Sequence, residues 1–184
     1  MAQPHSDDQE LLLQFKNPSS KEKGFTSIIK KYQEKLYWHI RRMVVQHEDA
    51  NDVLQNMFIK VWNGLDNFRE DSQLYTWLYR IATNESLTFI EQQKKRASIS
   101  ISDEDTGLSN KLKADRNFDG NKAEWKLQLA MQQLPEKQRV VFNLRYYDEM
   151  PYGEMSRVLE TSEGALKASY HHAVKKIEDF ILNN

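Results

Sequence analysis

The sequence predicts an all-α protein: two small helical domains, a three-helix-type bundle and a helix-turn-helix domain, joined by a flexible linker. Three observations predict it. With Gly 6 and Pro 4 in 184 residues, turn formers stand at about half their usual share, which disfavours β sandwiches. Apolar residues recur at steps of three and four in successive runs, the period of a helix with one buried face. Between two blocks of such runs lies the stretch 97–122, where four Ser, four Asp, three Asn and two Gly make half of the residues. That composition reads as a linker spanning up to roughly 85 Å when fully extended. It is also long for a loop inside one compact domain.

The first helix carries Phe25, Ile28, Ile29, Tyr32, Leu36, Ile40, Met43 and Val44 on one stripe. A second carries Val53, Leu54, Met57, Phe58, Val61, Trp62 and Leu65, starting after Glu48-Asp49, which suit a helix N-terminus. The third carries Leu74, Trp77, Leu78, Ile81, Ala82, Phe89 and Ile90 and ends in Lys94-Lys95-Arg96, cations that favour a helix C-terminus. Beyond the linker, Leu127, Ala130, Met131 and Leu134 form a short helix stopped before Pro135. Val140, Val141 and Leu144 lie on the next, fading near Asp148-Glu149. Pro151 is read as the first residue of a helix with Tyr152, Met155, Val158 and Leu159. A tight turn at Glu160-Thr161 leads to Ser162 as N-cap of the last helix, which buries Leu166, Tyr170, Ala173 and Ile177. Two helices on a tight turn, the second longer and bearing exposed Lys and His, form a helix-turn-helix pattern. The chain is thus divided into a polar tail over 1–23, a domain over 24–96, a linker over 97–122, a domain over 123–180 and a tail over 181–184.

Composition excludes several classes. No cysteine is present, so disulfide scaffolds, Cys-ligated zinc, iron–sulfur clusters and thiol nucleophiles are ruled out. Phosphate-binding glycine loops, H-E-x-x-H and G-x-S-x-G are absent. Asp103-Glu104-Asp105-Thr106-Gly107 lacks the later ligands of a calcium loop and reads as solvated linker. His171 and His172 are adjacent on a helix and point about 100° apart, which does not converge on a metal. No metal, cofactor or catalysis by the chain alone is expected. The polar start is unlike a signal peptide, and no apolar run approaches the roughly 18 residues of a membrane span. A cytoplasmic protein without membrane insertion is expected. Residues 1–96 hold 14 Lys+Arg against 13 Asp+Glu, and residues 123–184 hold 8 against 9. A protein gripping DNA by itself usually shows a basic excess, so any nucleic-acid role rests on local patches or on a larger partner.

Three segments carry a resemblance. Asp49 to Trp62 reads D-A-N-D-V-L-Q-N-M-F-I-K-V-W, Thr76 to Asn84 reads T-W-L-Y-R-I-A-T-N, and Ser162 to Ile177 reads S-E-G-A-L-K-A-S-Y-H-H-A-V-K-K-I. Together and in this order they resemble the extracytoplasmic-function class of bacterial RNA polymerase sigma factors. The resemblance implies a dissociable polymerase subunit that directs promoter-specific initiation, monomeric when free and restrained by an anti-sigma factor. It implies that Asp49, Asp52 and Gln55, sharing one helix face, dock on core RNA polymerase; Asn51 and Asn56 stand where acidic residues are frequent in the family. It also implies capture of a base flipped from the minus-ten element by the loop at 68–73 and the helix after it. There Phe68, Ser72 and Tyr75 supply walls and polar groups, Asn84 a two-sided amide, and Arg80, Lys94, Lys95 and Arg96 further DNA contacts. Trp77 shares the apolar stripe with Ile81 and is assigned to packing. The resemblance further implies that on the last helix Lys167, Ala168, His171, His172 and Lys175 face the minus-thirty-five element of promoter DNA. Ser169 and His172 stand where arginine is frequent, and Glu160 where glycine commonly makes the turn. Two other readings of the pattern are a sigma mimic that titrates an anti-sigma factor, and a dimeric helix-turn-helix regulator with a helical sensor domain.

Overall fold

The computed structural model describes residues 4–99 and 122–183, and these form α-helices with short 3-10 and π segments and no strand. The acidic run at Asp103 and most of the linker lie outside the described residues. In chain order the helices are α1 Pro4–Lys16, α2 Lys21–Val44, α3 His47–Gly64 and α4 Leu74–Ile99. The second half holds α5 Lys122–Gln132, α6 Glu136–Phe142, α7 Tyr152–Leu159 and α8 Glu163–Asn183.

The segment expected as a polar tail contains α1. Its apolar content is small but correctly spaced: Leu12 and Phe15 are buried, while Leu13 points to solvent. Phe15 meets the edge of Trp62 at a centroid distance of 5.5 Å, and Lys21 lies over both rings. Gly24 makes this packing possible. A Cβ there would stand 2.5 Å from the Phe15 backbone nitrogen, closer than atoms can approach. Asp8 adds polar anchors, accepting bonds from Lys31 Nζ at 2.7 Å and the Tyr32 hydroxyl at 2.7 Å.

Helices α2, α3 and α4 form the bundle that their apolar stripes predict, with Ile28, Leu36, Ile40, Met57, Val61, Leu65 and Leu78 fully or almost fully buried. Helix α3 starts at His47, before Glu48-Asp49 rather than after them, so both lie in its first turn, where their charge favours the helix dipole. A 3-10 turn at Leu65–Asn67 leads into the loop before α4, and Glu70 in that loop has φ 59 and pairs with Lys16.

In the second half, α6 runs directly into a π-helical turn, Asn143–Tyr147. Pro151 is the N-cap of α7 rather than its first residue, with extended ψ 146. Glu160 closes α7 in the left-handed region at φ 51 and ψ 39, as a residue in the usual place of glycine must. Ser162 Oγ accepts the Ala165 amide at 3.3 Å and starts α8.

The two halves are not independent in their cores. Val140, Val141, Leu144, Met150, Met155, Val158 and Leu166 join the same buried cluster as Leu78, Ala82 and the α2 and α3 residues. Among the described residues, Ala130, Met131, Leu134, Phe142, Ala173 and Ile177 make a separate core of the second half. Helices α4 and α7 therefore meet along an apolar seam.

Candidate polymerase and nucleic-acid interfaces

On α3, Asp52 and Gln55 are exposed with Asn56 beside them. Asp49 departs from this face. It is half-buried and accepts a hydrogen bond from Gln93 Nε2 of α4 at 3.0 Å. Its shared period of three with Asp52 is real, but the first turn of α3 lies over α4 and draws its carboxylate inward. One turn beyond Gln55 the chain exposes Ile59, 59% accessible. Sequence reasoning assigns it no role: Ile59 lies off the apolar stripe of Val53, Leu54, Met57, Phe58, Val61, Trp62 and Leu65 and goes unweighed as a surface residue. The free face of α3 thus combines Asp52, Gln55 and Asn56 with one aliphatic side chain.

The loop at 68–73 and α4 carry the residues expected to meet the minus-ten element. Phe68 is buried, its ring tilted on Trp77 at 5.1 Å, and Trp77 is half-buried, as its packing role requires. An open cleft of about 270 Å³ lies between this loop and α1, with Phe68, Ser72 and Leu74 on one side and Asp8, Gln9 and Leu12 on the other. Tyr75 is half-buried, and burial together with the nearby Glu154 carboxylate raises its phenol above the usual range. Arg80 and Asn84 are exposed along the same helix, Asn84 lining a groove with Leu87, Val158, Leu166 and Ser169. Lys94, Lys95 and Arg96 are exposed at its far end. At 1.5 Å per residue, Tyr75 and Asn84 are about 13 Å apart along the axis and Lys94 about 15 Å further. These residues do not form one pocket. They form a strip: at one end a mostly polar cleft with Leu12, Phe68 and Leu74 as its apolar walls, amide and guanidinium in the middle, and cations at the other end.

On α8, Lys167, Ala168, His171, His172 and Lys175 are all exposed, opposite the buried Leu166, Ala173 and Ile177. Lys167 has a weak pair with Glu163 at 3.6 Å and lies 5.5 Å from the Tyr152 ring centroid. The two imidazoles are 6.0 Å apart between centroids and splayed by 58°. Among the described residues no group of three or more His, Asp or Glu side chains converges on a metal position, and no helix is long and apolar enough to cross a membrane.

A polar cluster that sequence reasoning did not find joins the two halves. His39 of α2 is fully buried. Its Nδ1 lies 2.9 Å from Asp148 Oδ2 and its Nε2 lies 3.0 Å from Thr83 Oγ1. Arg42 donates through Nε to Asn143 Oδ1 at 2.6 Å and through a terminal nitrogen to Asp148 Oδ1 at 3.1 Å. Its guanidinium also covers the Tyr147 ring at 4.3 Å. Asn143, fully buried in the π turn, donates to the His39 carbonyl at 3.0 Å. Burial alone would raise the Asp148 carboxyl, yet the hydrogen bond and charge of His39 and the guanidinium of Arg42 hold it below its usual value. The available signal was His39 sitting between Leu36 and Ile40 on the apolar stripe. A polar residue on a buried stripe needs a partner, and that partner is more than a hundred residues away.

Two family models match the chain: Sigma-70 region 2 over residues 28–96 and Sigma-70, region 4 over residues 124–177. The RNA polymerase sigma-H factor of Pseudomonas aeruginosa is 30% identical over 164 residues, covering 85% of each chain. The ECF RNA polymerase sigma-E factor of Escherichia coli K12 is 30% identical over 166 residues, covering 86% of each. Among solved structures, CnrH in complex with the cytosolic domain of CnrY superposes with a TM-score of 0.70 at 20% identity, covering 96% of this chain and 98% of that one. The sigma factor RpoE in complex with the anti-sigma factor NepR from Bartonella quintana gives 0.71 at 19% identity, covering 86% of this chain and 97% of that one.

Proposed function

The chain belongs to the sigma-70 family, in its extracytoplasmic-function class, and from that premise we propose how its surfaces divide the work of promoter-directed transcription initiation. Residues 24–96 dock on core RNA polymerase and open the minus-ten element, residues 123–180 read the minus-thirty-five element, and 97–122 link them. The reading is supported by the coincidence of exposed, chemically suited side chains with the matched regions.

On α3, the exposed Asp52, Gln55 and Asn56 offer hydrogen-bond acceptors and donors to a polymerase helix pair, and Ile59 adds an apolar contact. Asp49 acts indirectly, steadying the start of α3 through Gln93. At the other surface, a base leaving the duplex needs an apolar wall and a few polar groups; the cleft beside Phe68 and Ser72 has both. Asn84 presents donor and acceptor to a base edge, and Lys94, Lys95 and Arg96 suit phosphates, where geometry is forgiving. On α8 the early exposed residues Lys167, Ala168, His171 and His172 enter the major groove, with Lys175 on the backbone. The protein acts without chemistry of its own, in the cytoplasm, as a monomer when free. An anti-sigma partner is inferred from the relatives: the RpoE neighbour was solved with an anti-sigma factor.

The single observation that carries this reading is the arrangement of α8, whose polar stripe of Lys167, His171 and Lys175 is wholly exposed after a well-formed turn. Run-off transcription on fragmented genomic DNA with sigma-free core polymerase tests it. Transcripts whose mapped starts share a two-part upstream sequence are expected. Core binding without transcripts supports the sigma-mimic reading instead, and neither binding nor transcripts refutes both.

A further inference from the structure

Helix α1 precedes the matched region at 28–96, yet one of its faces meets the loop at 68–73. Gln9, Leu12 and Lys16 stand three and four residues apart and so share that face. All three are engaged with the loop. Gln9 and Leu12 line the cleft of about 270 Å³ together with Phe68 and Ser72, and Lys16 Nζ pairs with Glu70 Oε1 at 2.7 Å. Glu70 holds a left-handed backbone at φ 59, which costs a side chain more than it costs glycine. Three residues before it, Asp66 of the 3-10 turn pairs with Lys21 at 2.7 Å. Exposed pairs of this kind add little to stability; what they fix is where the loop stands relative to α1. The α1 wall is itself fixed, since the Asp8 carboxylate accepts from Tyr32 and Lys31, and Leu12 and Phe15 are buried.

We propose that α1 is the second wall of the minus-ten base pocket and that Gln9 reads the flipped base, preferring adenine or cytosine over thymine. The proposal rests on the reading of the 68–73 loop as the site of base capture. Size agrees: drug-sized ligands occupy roughly 300 Å³ or more, and a cleft of about 270 Å³ suits one planar base. Gln9 is exposed, and its side chain makes no hydrogen bond to any of the described residues. Its amide offers a donor beside an acceptor. That pair matches the edge of adenine or cytosine, where a ring nitrogen that accepts lies beside an amino group that donates.

An amide alone discriminates weakly, because a half-turn exchanges its donor and acceptor. The carboxylates supply the bias. Asp8, Glu70 and Asp71 line the cleft against one guanidinium, Arg157, and a carboxylate only accepts. An acceptor-rich, negative rim favours an amino donor and disfavours the carbonyl edge of thymine. Every lining residue except Arg157 belongs to the first half of the chain, so the pocket does not depend on where the second half sits.

The test uses holoenzyme assembled from core polymerase and the full chain, a promoter library randomised across the minus-ten element, and sequencing of the transcripts. The unaltered chain is expected to prefer adenine or cytosine over thymine at one position. Gln9→Ala is expected to reduce that preference about ten-fold, the scale of one bidentate base contact, at that position and no other. Its Tm and core affinity should stay unchanged, because the side chain is exposed. A uniform loss at all positions overturns base reading by Gln9 and reduces α1 to a support. A preference for thymine at the Gln9-sensitive position overturns the amino preference. A Gln9→Ala profile identical to that of the unaltered chain, while Ser72→Ala or Asn84→Ala changes it, overturns the role of α1 and leaves the minus-ten reading standing. Profiles unchanged by all three variants overturn both.

Discussion

Replacing Gly24 with alanine decides between two physical effects of opposite sign. Gly24 lies in the first turns of α2, where helix propensity alone favours alanine by about 1 kcal/mol. Against this, the new Cβ would stand 2.5 Å from Phe15 N and 2.9 Å from Phe15 Cα and Gln14 C. All three are backbone atoms that no rotamer change can move. Helix α1 must therefore retreat by about 1 Å or detach, since ordinary carbon contacts begin near 3.5 Å. Detachment exposes Phe15, now fully buried, and Leu12, now 5% accessible. At roughly 1.5–3 kcal/mol for each side chain, the loss is about 3–6 kcal/mol. Less the propensity gain, Gly24→Ala destabilises by about 2–5 kcal/mol, a fall in Tm on the order of 5–20 °C for a chain of this size. Thermal unfolding measures the sum, and hydrogen exchange in the peptide covering α1 shows where the loss arises. A variant with equal or higher Tm and unchanged exchange in α1 refutes the close approach of the two helices.

Asp52→Ala with Gln55→Ala should weaken binding to core polymerase in a fluorescence titration and leave Tm unchanged, because both side chains are exposed; unaltered affinity shows that the docking face lies elsewhere. Lys167→Ala should reduce transcription from promoters with an intact minus-thirty-five element by on the order of ten-fold, the scale of one good groove contact, without changing core affinity. Equal loss on promoters lacking that element contradicts the assignment. The Asp148 carboxyl is held below its usual value in the folded chain, so the unfolded chain takes up its proton first as pH falls. The stability it contributes is fully present above an unfolded pKa of about 3.9 and is lost as pH drops through the lower folded value. Urea unfolding followed from pH 7 to pH 3 should show this acid loss, and Asp148→Asn should flatten it; the same acid limb in both chains assigns it to other carboxylates.

The elements were legible because each rests on local physics. The apolar steps of α2, α3 and α4 need only a helix period, and the tight turn at Glu160 and the Ser162 cap need only neighbours in sequence. The exposed stripe of Lys167, His171 and Lys175 follows from the same period once Leu166, Ala173 and Ile177 are placed inside. Helix α1 was not legible as part of the fold, since Leu12 and Phe15 are too few for a convincing stripe. What docks it is the absence of a side chain at Gly24 and the Asp8 carboxylate reaching Tyr32. Asp49 shows the limit of face arguments: its period matches Asp52, yet the crossing of α4 over the first turn of α3 gives it a partner in Gln93.

By itself, then, the sequence determined an all-α chain, the order of its helices and the helix-turn-helix, and through its motifs the sigma-70 family. Only the tertiary structure decided how the halves meet. The contacts between His39 and Asp148, Arg80 and Glu160, and Lys94 and Glu136 join residues 42 to 109 positions apart. Helical periodicity reports which side of a helix avoids water and carries no information about which distant surface covers it. Pairing across such separations depends on the shape and charge of two assembled surfaces, and these exist only once both halves have folded.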